Sequence, residues 1–149
     1  MAQVILNIRP AADSLRDAAT LSRRGVVSAC LPLMEIAMLA PPLPNVQEIC
    51  GLVFTSRHAV SAFVAGMGTV DWARVPAFVV GNATAAAARA AGFVSIFTGS
   101  GGGAGLVPVI LRHVPVREGR ILWPAAGDKS FDMAMALTAH GYDVQTLDI

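Results

Sequence analysis

The polar residues of greatest chemical interest follow a short apolar run. In "GLVFTSRHAV" (51–60) a run typical of a buried strand ends in Thr55, Ser56, Arg57 and His58, just before a predicted helix. Anions are well accommodated at such a position, because the first N–H groups and the positive end of the helix dipole lie there. We therefore predict that this stretch contributes to a site for a negatively charged ligand.

Other polar or small residues occupy equivalent positions, each just after a predicted strand. They are Arg9, Asn82, Thr84, Ser100, the glycines at 101–103, Lys129 and Ser130. Strand-to-helix turns of a parallel sheet share one edge, where the ligands of open α/β sheets bind. Ser56 and Asn82 fit simple N-caps equally well, and Thr84 fits an ordinary first-turn residue. The stretch "GSGGGAG" (99–105) fits a flexible loop or a phosphate cradle, although it lacks the standard phosphate-loop and dinucleotide patterns.

Other kinds of chemistry find little support in the sequence. No His, Cys or acid lies at metal-ligand spacing from His58 or His113, and no serine has the G-x-S-x-G frame of a nucleophile elbow. The 10 acidic residues are scattered, so catalysis by paired carboxylates is unsupported. A net charge of +1 gives no long-range field, which argues against nucleic-acid binding. An enzyme of this composition would work mainly by holding and orienting its substrate.

The cysteine content and the amino terminus indicate a cytoplasmic, soluble protein. Cys30 and Cys50 lie far apart in apolar sequence, which predicts two buried thiols in a reducing compartment. No signal peptide is recognisable at the amino terminus. No apolar run reaches the ~18 residues that a membrane-spanning helix needs.

Alternating apolar runs and helical patterns predict an α/β protein: a parallel-sheet, flavodoxin-like domain preceded by one βαβ unit of a second, incomplete α/β domain. We place the βαβ portion at residues 1–35, with Asp13 as a helix N-cap. The five-stranded domain, which includes a strand at 93–97, occupies residues 36–149. Three prolines in "LAPPLPNVQE" (39–48) exclude regular structure between them. Because a two-stranded sheet cannot close a core, we expect two chains to complement each other here, or this unit to be poorly ordered.

Six short motifs, in order along nearly the whole chain, resemble those of the uroporphyrinogen-III synthase family. They are "NIRP" (7–10), "FTSRHAV" (54–60), "VGNATA" (80–85), "GLV" (105–107), "RILWPAAG" (120–127) and "GYDV" (141–144). The resemblance implies two α/β domains with the substrate in the cleft between them. Family members continue beyond the position of Ile149 to complete the first domain, and the tyrosine proposed to assist hydroxyl loss lies in that part.

The resemblance also implies a reaction. Hydroxymethylbilane, a linear tetrapyrrole, loses its hydroxyl and closes with its last ring inverted to give uroporphyrinogen III, a lyase step of haem biosynthesis that uses no cofactor or metal. By motif, the substrate-facing residues are Arg9, Thr55, Ser56, Arg57, Asn82 and Thr84; the catalytic residues stay unassigned. Two alternatives remain open, a non-catalytic module that binds a polyanion or tetrapyrrole, and an unrelated flavodoxin-like or nucleotide-binding domain.

Overall fold

A computed structural model describes residues 4–127 and 129–149. The chain divides into two compact units, Met1–Met38 and Leu39–Ile149. Residues 31–45, around the boundary of the two units, lack regular structure up to a short 3-10 turn at Val46–Glu48, as the proline content predicts. That the first unit is part of an incomplete domain stays a prediction.

The first unit is one βαβ element, with β1 at Ile5–Asn7, α1 at Ala11–Ser22 and β2 at Ser28–Cys30. The two strands are parallel, with Leu6 opposite Ala29. The prediction of Asp13 as the N-cap of α1 is wrong, because Pro10 precedes the first helical residue and its fixed φ of −48° starts the helix earlier. Asp13 lies in the first turn instead, where it pairs with arginines on both sides.

The second unit contains the predicted five-stranded parallel sheet, in the order β5-β4-β3-β6-β7. Its elements along the chain are β3 (Ile49–Phe54), α2 (Arg57–Gly66), β4 (Ala77–Val80), α3 (Gly81–Ala90), β5 (Ile96–Gly99), α4 (Val107–His113), β6 (Arg120–Ala125), α5 (Met133–Thr138) and β7 (Asp143–Asp148). The α/β class and the single parallel sheet are therefore confirmed. The chain starts in the centre of the sheet, builds one half through β4 and β5, and then returns to the other side of β3.

Both faces of this sheet are covered by helices. Leu52 and Phe54 of β3 pack with Phe63 of α2 on one face, in a cluster that also holds residues of α3. Val53 points to the opposite face, where its cluster includes Ile110 of α4 and residues of α5. Because side chains of a strand alternate between faces, the unbroken apolar run of β3 is the pattern expected for a sheet buried on both sides.

The prediction that both cysteines are buried is wrong. Cys30 is exposed and Cys50 is only half-buried, and neither forms a disulfide. Cys30 belongs to the two-stranded sheet of the first unit, which has too little surrounding structure to cover it. Partial burial raises the pKa of the Cys50 thiol, which keeps the thiol protonated near neutral pH.

Candidate functional site

The turn between β3 and α2 carries the hydroxyls that begin the predicted site. Ser56 has extended backbone geometry, and its Oγ accepts a hydrogen bond from the Ala59 N–H at 3.1 Å. The interpretation of Ser56 as an N-cap is thus confirmed. A serine hydroxyl that accepts one bond still has its own proton to donate, so the cap and a ligand contact are compatible.

A cavity of about 320 Å³ opens beside this turn, and we call it the switch-point cavity. Its walls are formed by Thr55, Ser56, Ala59, Val80, Gly102, Gly103, Trp123, Ala125, Ala126, Lys129, Ser130 and Phe131. It thus borders the carboxyl ends of the neighbouring strands β3 and β6. The chain builds β4 on one side of β3 and β6 on the other, and the crevice at such a topological switch point is where open α/β sheets bind ligands.

The electrostatics of the switch-point cavity favour an anion. Lys129 is the one charged side chain among the described residues of its wall. The Lys129 ammonium lies 5.6 Å from the centre of the Trp123 ring and 3.8 Å from a carboxylate oxygen of Asp148. Helix α2 starts at the same wall and adds the positive end of its dipole. A carboxylate or phosphate would meet a cation, a helix start and the hydroxyls of Thr55 and Ser56.

A second cavity, of about 430 Å³, lies at the ends of β4 and β5. Its polar lining comes from Asn82, Thr98, Ser100 and Arg112, together with several glycines. The interpretation of Asn82 as an N-cap is wrong, because α3 already begins at Gly81 and has no side-chain cap. Asn82 is instead a first-turn residue that lines this cavity.

The glycines of "GSGGGAG" have a steric role in shaping both cavities. A Cβ on Gly105 would lie 1.5 Å from the carbonyl oxygen of Ser100, and one on Gly103 would lie 2.8 Å from the Phe131 ring. Gly101 and Gly102 have φ angles of 76° and 79°, which residues with a Cβ rarely adopt. These glycines therefore serve close packing and a tight turn between β5 and α4.

Arg9 lies in the first unit, and carboxylates already surround it. Its guanidinium donates hydrogen bonds to Asp17 at 2.7 Å and to Asp13 at 3.0 Å. The hydrogen bond from Arg9 lowers the pKa of Asp17, assisted by a second bond from Asn7. A substrate carboxylate would have to displace these partners to reach Arg9, whose role as a substrate-facing residue stays a prediction.

The structure brings only part of the predicted set together. Thr55 and Ser56 line the switch-point cavity, whereas Asn82 lines the neighbouring one. Arg57 is half-buried and Thr84 is only 4% exposed, and neither lines these two cavities. Their roles as substrate-facing residues stay predictions.

Trp123 is a large wall residue that the sequence did not predict at this site. It lies near the end of β6 and is 2% exposed, and its indole N–H has no hydrogen-bond partner in the described part of the chain. Its place at the end of the apolar run "ILW" (121–123) is typical of an ordinary core strand. The available signal was its position at the carboxyl end of a parallel strand, where side chains reach the ligand edge.

The described residues contain neither a cluster of metal ligands nor a helix of membrane-spanning length. Across residues 4–127 and 129–149, no group of three or more His, Cys, Asp or Glu side chains is arranged to hold a metal ion. Within the same ranges, no helix combines the length and apolar character needed to cross a bilayer.

Comparison with solved structures identifies related folds. The chain superimposes on the "Crystal structure of uroporphyrinogen-III synthetase from Helicobacter pylori 26695" with a TM-score of 0.64 and 17% identity, covering 99% of this chain and 60% of that one. The wild-type uroporphyrinogen III synthase of Thermus thermophilus gives a TM-score of 0.58 and 18% identity, covering 99% of this chain and 61% of that one. The chain therefore spans about 60% of the length of the solved structures it matches.

A family model matches the sequence, whereas no curated protein does. None of the curated proteins compared with this chain matches it significantly. The family model described as "Uroporphyrinogen-III synthase HemD" matches residues 16–149, which is most of the chain and includes the whole five-stranded unit. Together with the shared fold, this match shows that the chain belongs to the uroporphyrinogen-III synthase family.

Proposed function

We propose that this chain binds hydroxymethylbilane and promotes its cyclisation to uroporphyrinogen III, with inversion of the last ring. The proposal depends on one observation, the switch-point cavity of this chain, which belongs to the family. The hydroxyls of Thr55 and Ser56, the Lys129 ammonium and the start of α2 lie together there, at the ends of β3 and β6. A linear tetrapyrrole bears many carboxylates, so it offers several groups of the charge that this edge attracts.

The proposed mechanism relies on orientation. Loss of the substrate hydroxyl breaks a C–O bond and leaves a delocalised cation, which a carbon of the last ring attacks to form a spiro intermediate. Rearrangement breaks the C–C bond between the last ring and its original bridging carbon, and the free carbon of that ring then forms the closing C–C bond to the same bridging carbon. The ring proton that is released and the hydroxide that left together make one molecule of water. Holding a flexible molecule so that the correct carbon attacks converts an improbable encounter into a favoured one.

Each wall residue has a defined part in this mechanism. Lys129 pairs with a substrate carboxylate, and Thr55 and Ser56 donate hydroxyl hydrogen bonds to it or to a neighbouring one. The apolar wall that includes Trp123 contacts the pyrrole rings and excludes water. Arg9, Arg57, Asn82 and Thr84 retain their proposed substrate-facing roles through the motif resemblance alone.

The proposal is tested by turnover. The purified chain is supplied with enzymatically generated hydroxymethylbilane, and the oxidised products are separated by chromatography as type I and type III isomers. We expect the type III isomer to increase with protein concentration. Formation of the spontaneous type I product alone, at every protein concentration, would show that the chain is not a competent synthase.

A second candidate is a module that binds a tetrapyrrole without converting it. Two observations favour it: the chain spans about 60% of the solved structures it matches, and the guanidinium of Arg9 is held by two carboxylates. Saturable binding of uroporphyrin III, combined with type I product only, would support this candidate. A cytoplasmic location accompanies either function, since tetrapyrrole synthesis from soluble precursors requires no membrane.

A further inference from the structure

The cavity at the ends of β4 and β5 contains a cation that no sequence motif singled out. Arg112, in the last turn of α4, is exposed and lines this cavity of about 430 Å³ together with Asn82, Thr98 and Ser100. We call it the β4–β5 cavity. All of its wall residues lie between positions 81 and 112, so the cavity belongs entirely to the five-stranded unit.

The lining of the β4–β5 cavity is suited to an anion. Arg112 is the one charged side chain among the described residues of its wall. Its guanidinium makes no hydrogen bond or ion pair within the described part of the chain, in contrast to Arg9, which two aspartates hold. Asn82, Thr98 and Ser100 add an amide and two hydroxyls as hydrogen-bond donors. A carboxylate in this cavity would pair with Arg112 without displacing an aspartate or glutamate of the described chain.

The glycine-rich loop places the β4–β5 cavity beside the switch-point cavity. Gly102 and Gly103 line the switch-point cavity, whereas Gly99, Ser100 and Gly105 line the β4–β5 cavity. Residues 99–105 therefore form a wall that the two cavities share. The strand order is β5-β4-β3-β6, so the two cavities lie about two strand spacings apart, which is roughly 10 Å.

We propose that the β4–β5 cavity is a second carboxylate subsite, where Arg112 binds one carboxylate of the same ligand that Lys129 binds in the switch-point cavity. This inference rests on the proposed function, since it requires a tetrapyrrole in the switch-point cavity. The carboxylates of a tetrapyrrole are distributed over several rings, so two of them can reach both cavities. Two tethered contacts bind more tightly than either alone, because the second forms within one complex. The pair of cavities therefore selects a ligand with carboxylates on more than one ring.

Calorimetric titration of uroporphyrin III tests this proposal. The wild type should bind one molecule per chain, and Arg112→Gln should weaken that binding roughly three- to tenfold. Arg112→Lys keeps the positive charge and should bind within about twofold of the wild type. Arg89→Gln is the matched control, because Arg89 is also exposed but lies in the last turn of α3, outside the wall of the cavity. It should leave the affinity unchanged.

The outcomes separate this inference from the proposed function. An unchanged affinity in Arg112→Gln, while Lys129→Gln weakens binding, would overturn the second subsite and leave the proposed function intact. Two molecules of uroporphyrin III per chain, of which Arg112→Gln removes one, would also overturn it, because the cavities would then bind separate ligands. A wild type that binds no uroporphyrin III would overturn both proposals.

Amide chemical shifts of the ¹⁵N-labelled wild type decide the question if Arg112→Gln fails to fold by circular dichroism. The amides of Asn82, Ser100 and Arg112 should shift at the same ratio of uroporphyrin III to protein as the amide of Thr55. Shifts at Thr55 without shifts at these three amides would contradict the second subsite.

Discussion

Replacing Ser56 by aspartate separates its structural role from its proposed role in binding. The Ser56 Oγ caps α2 by accepting from the Ala59 N–H at 3.1 Å. Aspartate is an equally good N-cap, and a negative charge at a helix start is favourable, so Ser56→Asp should change the free energy of unfolding by less than about 0.5 kcal/mol. Ser56→Ala removes the cap and should cost about 1 kcal/mol.

The two substitutions should affect ligand binding in the opposite order. A carboxylate at position 56 faces the cavity that is proposed to hold the carboxylates of the substrate. Like charges about 4 Å apart repel by about 4 kcal/mol at an effective dielectric of ~20, and solvent screening in an open cavity reduces this to about 1–3 kcal/mol. Ser56→Asp should therefore weaken binding by about 10- to 100-fold, whereas Ser56→Ala should weaken it only a few-fold.

The assay combines urea denaturation with calorimetric titration of uroporphyrin III, a stable polycarboxylate of the same class. Urea melts show whether each variant is folded and how much stability it has lost. Unchanged affinity in Ser56→Asp, with the protein folded, would refute the placement of an anionic ligand at this wall. Equal losses of affinity in both variants would refute the electrostatic part of the reasoning.

Three further predictions concern other parts of the chain. Gly105→Ala should lower the free energy of unfolding by about 1–3 kcal/mol or more, because the added Cβ would collide with the backbone of Ser100. Gly66→Ala is the matched control, because Gly66 lies in open space at the end of α2; it should raise the free energy of unfolding by up to about 0.5–1 kcal/mol. Urea melts measure both changes. The lowered pKa of Asp17 means that its contribution to stability is present above the unfolded-state pKa of 3.8 and is lost as pH falls through the lower folded-state value. Asp17→Asn should remove this acid-dependent loss of stability. The measurement is the hydrogen-exchange protection of α1 amides as the pH falls, corrected for intrinsic exchange rates. Lys129→Gln should weaken uroporphyrin III binding about tenfold and reduce the salt dependence of that binding. Arg74→Gln is the matched control, because it removes an exposed charge that does not line the cavity. It should leave the affinity and its salt dependence unchanged in the same titrations.

Local patterns predicted most of the fold, and the errors have physical causes. The strand predicted at 93–97 lies at Ile96–Gly99 instead. Phe93 is apolar because it packs against Phe54, with ring centres 5.7 Å apart, from a turn that precedes the strand. The apolar character of Phe93 correctly predicted its burial but not its secondary structure, because tertiary packing can bury a residue outside a strand as well.

The candidate site could be predicted only where it depends on local chemistry. Ser56 stands between an apolar run and a helical pattern, and this position alone identifies it as a cap at the ligand edge. The sequence also predicted Lys129 at this edge, but not which residues it would lie beside. Trp123 and Lys129 share a cavity with Ser56 because β6 lies directly beside β3, although the chain builds two other strands in between. That adjacency is set by the order of strands in the sheet, which no local pattern specifies.

The central claim is that the crevice at the ends of β3 and β6 holds the carboxylates of a tetrapyrrole. Its most direct test is a titration of the ¹⁵N-labelled chain with uroporphyrin III, followed by amide chemical shifts. Saturable shift changes should centre on Thr55, Ser56, Gly102 and Lys129. Saturable changes confined to residues 4–38, or an absence of changes at these four amides while binding is detected by calorimetry, would contradict it.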